Sequence, residues 1–151
     1  MSKFIWTEQF KLGIEVIDQQ HRQIMDYVNQ LEDALGNGKP QKAVSKLIAT
    51  LVDYTIFHFG FEEDLLEKAA YPYLKPHQKS HATFAKRIAD FRDRFDAGED
   101  VTKDVDALLS MWAFDHLKHD DSDYVGAVVE FLRHHPNYFS KKPGVFARLF
   151  K

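Results

Sequence analysis

Apolar residues recur along this chain in steps of three and four, the spacing that lines one face of an α-helix. The first run is Ile24, Val28, Leu31 and Leu35, with His21 one step ahead of it. Gly36-Asn37-Gly38 ends this run, Asp18 is placed to cap its start, and Pro40 suits the start of the next helix. The second run reads Val44, Leu47, Leu51, Tyr54, His58, Glu62 and Leu65. It stops before Tyr71-Pro72, because a residue preceding proline is pushed out of helical geometry. Pro76 opens a third helix through His77, His81, Phe84, Ile88, Phe91 and Phe95, closed by Gly98. A fourth carries Val105, Leu108, Leu109, Trp112 and His116. No stretch alternates with period two over a useful length. Four helices with inward apolar stripes and short connections predict an all-α, up-down-up-down four-helix bundle. Residues 1–16 hold Phe4, Ile5, Trp6, Phe10, Leu12 and Ile14 without a clean period, and read as an extended N-terminal arm laid over apolar surface.

A chain of 151 residues suits one domain with a sizeable core. It has no cysteine, which excludes disulfides, thiolate metal sites, iron–sulfur clusters and cysteine nucleophiles. Any metal must then be held by nitrogen and oxygen, a donor set that suits iron, manganese or zinc. No secretory pattern opens the chain and no apolar run approaches membrane-spanning length, so a cytoplasmic protein is expected. The net charge of −3 conceals an asymmetry: the first 132 residues carry −8, while five bases and no acid follow from Arg133 on. The expected division is a bundle over residues 1–132 and a basic, aromatic C-terminal extension over 133–151. Tyr138, Phe139, Phe146 and Phe150 would dock that extension on the acidic body, or it would contact a membrane surface or partner protein. The acidic body argues against nucleic acid, and a monomer is expected.

The stripes carry more than packing residues. Five of the eight histidines, His21, His58, His77, His81 and His116, fall on the inward faces of all four helices, and Glu62 joins them. One histidine on an apolar stripe is ordinarily a hydrogen-bonded core residue. Five of them with a carboxylate would leave a badly unsatisfied core, and a metal centre satisfies all of them together. His58 and Glu62, like His77 and His81, stand four residues apart and share a helix face. No Glu-x-x-His occurs, which disfavours a ferritin-type di-iron site. A calcium loop starting at Asp121 fails because Val125 and Leu132 would occupy ligand positions. Zinc-protease, phosphate-loop and dinucleotide motifs are missing too. His119, His134 and His135 lie off the stripes and read as surface residues. Near His116, the spacing alone does not choose among Asp120, Asp121 and Asp123. Asp121, five residues on, would require the helix to end or distort there.

These residues resemble the hemerythrins, the bacterial ones in particular. The likeness covers residues 6–128: Trp6, Gly13-Ile14, Ile17-Asp18 and Gln20-His21; His58-Phe59 and Glu62-Glu63; Tyr71-Pro72; His77, His81 and Phe84; and Trp112, His116-Leu117, Asp121 and Tyr124. The resemblance implies two iron ions, cycling between Fe2+ and Fe3+, with an oxo or hydroxo bridge. His77, His81 and His116 would bind one iron and His21 and His58 the other, with Glu62 and Asp121 bridging. The second iron keeps one open position, so the implied function is reversible O2 binding for storage, delivery or scavenging. Azide, NO or other small ligands could take the same position. Ile24, Phe59, Trp112, Ala113 and Leu117 are expected to line an apolar O2 pocket, and the smallness of Ala113 predicts freer ligand access and faster autoxidation. A sensor acting through partner binding, or a di-iron peroxidase or NO-handling oxidoreductase, are the alternatives; a catalytic residue is not expected. Asp18, Glu63, Asp115 and backbone carbonyls are candidates to orient the liganding imidazoles.

Overall fold

A computed structural model of the chain describes residues 4–141, apart from the side chains of Leu109, Ala113, Phe114 and Lys141. Helix α1 spans Glu15–Gly36, α2 Gln41–Lys68, α3 Leu74–Asp96 and α4 Thr102–Ser110. α4 continues without a break into a π-helical segment, Met111–Asp121, then a 3₁₀ turn, Ser122–Tyr124, and a last helix α5, Val125–His134. α1 packs on α2, α2 on α3, α3 on α4, and α4 returns to α1, which closes the predicted bundle with chain neighbours side by side. No described helix is long and apolar enough to cross a membrane.

The helix ends are built from the local sequence. α1, α2 and α3 all finish the same way, with the residue after the cap in left-handed geometry: Gly38 at φ 63°, Ala70 at 55° and Gly98 at 92°. In each, the next amide reaches back five residues, Lys39 to Ala34, Tyr71 to Leu66 and Glu99 to Arg94, at 3.0 Å. Glycine adopts this geometry freely at two of the ends; at the third an alanine carries the strain.

The helix starts differ from expectation. α1 begins at Glu15, so Asp18 lies inside its first turn and is not its cap. Its carboxylate reaches back and accepts from the Leu12 N–H at 2.8 Å and the Gly13 N–H at 3.1 Å. α3 begins at Leu74, two residues before Pro76, which a first turn tolerates because amides there have no intrahelical partner.

The arm is extended apart from one 3₁₀ turn, Glu8–Phe10, and is pinned to α1. The Phe4 N–H donates to Asn29 Oδ1 at 3.0 Å, and Asn29 Nδ2 donates to the Phe4 carbonyl at 2.9 Å. Phe10 is buried beneath it. At the other end, α5 runs across the expected 132/133 boundary. Beyond it the Tyr138 hydroxyl donates to Asp64 Oδ2 at 2.9 Å, and the Phe139 ring stacks on Phe61 with centroids 5.8 Å apart. Phe146 and Phe150 lie outside the described residues.

The core is divided. One apolar cluster runs from Ile24, Val28 and Leu31 through Leu51 and Ile88 to Trp112 and Leu117. A second gathers Ile14, Ile17, Phe61, Leu65, Leu66, Tyr124 and Val128. On α1, His21 falls between Ile17 and Ile24, and on α2, Glu62 falls between Phe59 and Leu65. A polar plate therefore crosses the bundle between two hydrophobic blocks.

Candidate metal centre

Seven side chains fill that plate: His21 from α1, His58 and Glu62 from α2, His77 and His81 from α3, and His116 and Asp121 from the π-helical segment. All seven are buried. They fall into two groups, Glu62, His77, His81, His116 and Asp121 in one, and His21, His58, Glu62 and Asp121 in the other. In each group the donor atoms lie within 4.8 Å of one another. The two carboxylates belong to both groups, and each divides its oxygens between them. Glu62 Oε1 lies 2.7 Å from His77 Nε2 and 3.0 Å from His81 Nε2, while Oε2 faces His58 Nε2 at 3.3 Å and His21 Nε2 at 3.5 Å. Asp121 Oδ1 lies 3.1 Å from both His77 Nε2 and His116 Nε2, and Oδ2 lies 3.0 Å from His21 Nε2.

Asp121 depends on the backbone around it. Residues five apart do not share a face of an α-helix, at 3.6 residues per turn. The π-helical segment closes its turns from i to i+5, and so stacks Asp121 under His116. The expected distortion is this wide turn.

The outer nitrogens of three imidazoles have partners. His58 Nδ1 meets Gln20 Oε1 at 2.6 Å, His81 Nδ1 meets Glu63 Oε2 at 2.8 Å, and His116 Nδ1 meets Asp120 Oδ2 at 3.3 Å. A hydrogen on Nδ1 leaves Nε2 with its lone pair turned inward. Glu63 was among the expected partners. Asp18 instead holds the arm, and Asp115 is exposed. Gln20 and Asp120 were missed in this role; Gln20 is a fully buried amide next to His21 in the chain, and only the packing of α1 on α2 brings it to His58. Tyr124 was missed as well: its buried hydroxyl donates to Glu62 Oε2 at 2.9 Å.

The inner atoms are incompletely satisfied by one another. His21 Nε2, His58 Nε2 and both oxygens of Asp121 make no hydrogen bond despite their short separations. Buried polar atoms converge here with their acceptor lone pairs towards a common point, which is costly without a cation between them.

Ionisation follows from the crowding. Burial alone would push Glu62 up, but the imidazoles of His58, His21 and His77 hold it well below the usual carboxylate range. Burial and Glu62 push Asp121 up, and His116 and His21 outweigh them, so it too is held well below. Burial pulls His77 and His116 down, but Asp121 and Glu62 overcome it and raise them to about 9 and about 10. His21 is raised against its burial by the same two carboxylates. Burial prevails at His58, which is lowered to about 4. In the metal-free plate, protons on imidazoles therefore balance the two carboxylates, and cations would replace them.

The expected pocket residues Ile24, Phe59, Trp112 and Leu117 are all buried in the cluster that borders this plate. Trp112 reaches both groups, with its ring 5.8 Å from those of His21 and His58 and 4.9 Å from that of His116. Phe59 stacks flat on His81 at 3.9 Å, so its main contact is with the three-histidine group. The side chain of Ala113 lies outside the described residues. His119, His134 and His135 are exposed, as expected.

Residues 12–128 match the family described as the Hemerythrin HHE cation binding domain. The chain is 44% identical over 128 residues to a bacteriohemerythrin of Pseudomonas aeruginosa (strain LESB58), covering 85% of this chain and 83% of that protein. It is 40% identical over 142 residues to a bacteriohemerythrin of Stenotrophomonas maltophilia (strain R551-3), covering 94% and 90%. A myohemerythrin of Sipunculus nudus is 30% identical over 125 residues, covering 82% and 92%. Among solved structures, a hemerythrin leucine-to-alanine mutant superposes with a TM-score of 0.77 at 29% identity, over 85% of this chain and 98% of that one. The family match spans the plate and all four helices that build it, and on that ground the chain belongs to the hemerythrin family.

Proposed function

We propose that this chain binds dioxygen reversibly at two iron ions held in the polar plate. His77, His81 and His116 would hold one iron and His21 and His58 the other, with Glu62 and Asp121 bridging both. The observation that carries the reading is the division of each carboxylate: one oxygen faces the three-histidine group and the other faces the two-histidine group. Five side chains thus converge on the first position and four on the second. The second position, with fewer side-chain donors, would be the one left able to take dioxygen. Nitrogen and oxygen donors without thiolate suit iron. When bound, a ferrous pair supplies the two electrons that dioxygen takes on binding and returns on release.

The chain's own residues shape that chemistry. Ile24, Trp112 and Leu117 keep the neighbourhood dry, and of these only Trp112 carries a polar side-chain atom. Gln20, Glu63 and Asp120 fix the imidazole rings through Nδ1. Tyr124 holds Glu62 from the side opposite His77. We read the protein as a binder and not an enzyme, working in the cytoplasm as a bundle over residues 1–132 with an extension over 133–151. The test is an optical spectrum of the anaerobically reduced, iron-loaded protein before O2, with O2, and after its removal. Charge-transfer bands that appear with O2 and vanish on degassing are expected. An irreversible passage to the ferric spectrum would refute reversible binding, and the absence of iron-dependent bands would refute the iron site.

A further inference from the structure

The plate is sealed. His21, His58, Glu62 and Asp121 expose none of their surface, so a cation needs a way in. His77 and His116 are the most exposed of the seven, at 4% each, and each borders a surface cleft. The cleft at His77, about 660 Å3, is lined by Tyr71, Tyr73, Ser80, Asp120 and Asp123 among others. The cleft at His116, about 410 Å3, contains Lys79 opposite Asp115 and Asp120. Of these two, only the first offers carboxylates and phenol oxygens without a lysine or arginine in its wall. A third cleft, between α3 and α4, sets Lys86, Arg87 and Arg94 beside Asp90 and Asp104, and no residue of the plate lines it.

The His77 ring gives the second, independent sign. Its Nε2 is turned inward to Glu62 and Asp121. The outer nitrogens of His58, His81 and His116 are engaged by side chains and that of His21 is enclosed without a partner, whereas His77 Nδ1, with no hydrogen-bond partner among the described residues, belongs to the ring that borders the cleft. A side chain more than nine-tenths buried thus presents an unpartnered polar edge to the floor of the cleft.

We propose that the Tyr71–Asp123 cleft is the access route by which divalent cations reach the plate, with Asp120, Asp123 and the phenol oxygens of Tyr71 and Tyr73 as a transient outer set. A few hard oxygen donors in a wet cleft hold a hydrated cation loosely, while the buried imidazoles and carboxylates beyond hold it firmly. The two sets form a gradient from weak to strong binding across the His77 ring. The inference rests on the reading of the plate as a metal site.

The test is the rate of Co2+ uptake by the metal-free protein, followed by the d–d absorption of the bound ion, with final occupancy measured separately. Asp123 is exposed and makes no hydrogen bond or ion pair with the seven plate residues, so Asp123→Lys changes the field in the cleft and leaves their contacts in place. Uptake should slow on the order of tenfold, with a flatter dependence on salt and an unchanged final occupancy. Asp123→Asn, the milder exchange, should slow it by roughly threefold. Asp90→Lys, the same charge change in the α3–α4 cleft, should load at the wild-type rate. Wild-type rates in both Asp123 variants, or equal slowing by Asp90→Lys, would overturn the route and leave the metal site standing. A wild-type chain that takes up no Co2+ would overturn both.

Discussion

Filling the plate with metal must expel protons, and the structure says how many. His77 is raised to about 9 and His116 to about 10 in the metal-free protein, by Glu62 and Asp121 acting against burial. At pH 7 a group two units below its pKa is about 99% protonated, so both rings carry a proton that a metal must displace. His21, also raised, adds to the release, and His58, lowered to about 4, adds none. At least two protons should therefore leave per loaded chain at pH 7, falling to about one between pH 9 and 10. Between pH 7 and 8 the apparent affinity should climb about a hundredfold, ten for each proton. Calorimetry of anaerobic Fe2+ or Co2+ binding in buffers of different ionisation enthalpy counts these protons directly. Release of fewer than one proton at pH 7 would refute the assignment of His77 and His116 as displaced cations. The sign for stability runs the other way. A pKa raised in the folded state stabilises the fold below the ordinary value of 6.5, and that stabilisation is lost as pH rises through about 9 and 10. The metal-free protein should thus weaken in alkali over the range in which the loaded one binds its metal most tightly.

Tyr124→Phe removes the hydroxyl that donates to Glu62 Oε2 in a fully buried setting. Urea unfolding of the metal-free variant should show a loss of about 1.5–3 kcal/mol, smaller once metal shares the carboxylate charge; no loss would mean that the bond contributes nothing. Two opposite exchanges should both stabilise. Gly60 lies exposed within α2 with open space where a Cβ would stand, and Gly60→Ala should add about 1 kcal/mol. Ala70 holds left-handed geometry at φ 55°, and Ala70→Gly should add roughly 0.5–1 kcal/mol; a fall in the thermal midpoint of either variant would contradict the backbone reading.

Much of this was legible before the structure, and the misses have physical causes. The four stripes repeat at helical spacing, so burial was readable at His21, His58, Glu62, His77, His81 and His116. Asp121 was not readable from periodicity, because an ideal helix turns it away from His116, and only a π-helical backbone brings it back. Asp18 looked like a cap because caps and first-turn acids share a composition, and only coordinates distinguish a carboxylate that accepts from Leu12 and Gly13. Gln20 and Tyr124 carry one polar group each among apolar neighbours. What each of them meets is fixed by the packing of α1 on α2 and of the last turn on Glu62, and no local pattern encodes that. Ala70 breaks the glycine rule that correctly marked the ends of α1 and α3.

The charged plate between two apolar clusters has a consequence for cooperativity. Ile14, Ile17, Leu65, Tyr124 and Val128 bury one another with few links to the Ile24–Trp112 block except through the backbone and the seven polar side chains. Without metal, those side chains repel as well as attract, and the two blocks are coupled weakly enough to open as separate units. A cation pair that ties all four helices at one level would fasten block to block. Metal should thereby lower the number of units that open separately, which hydrogen exchange with and without it would count.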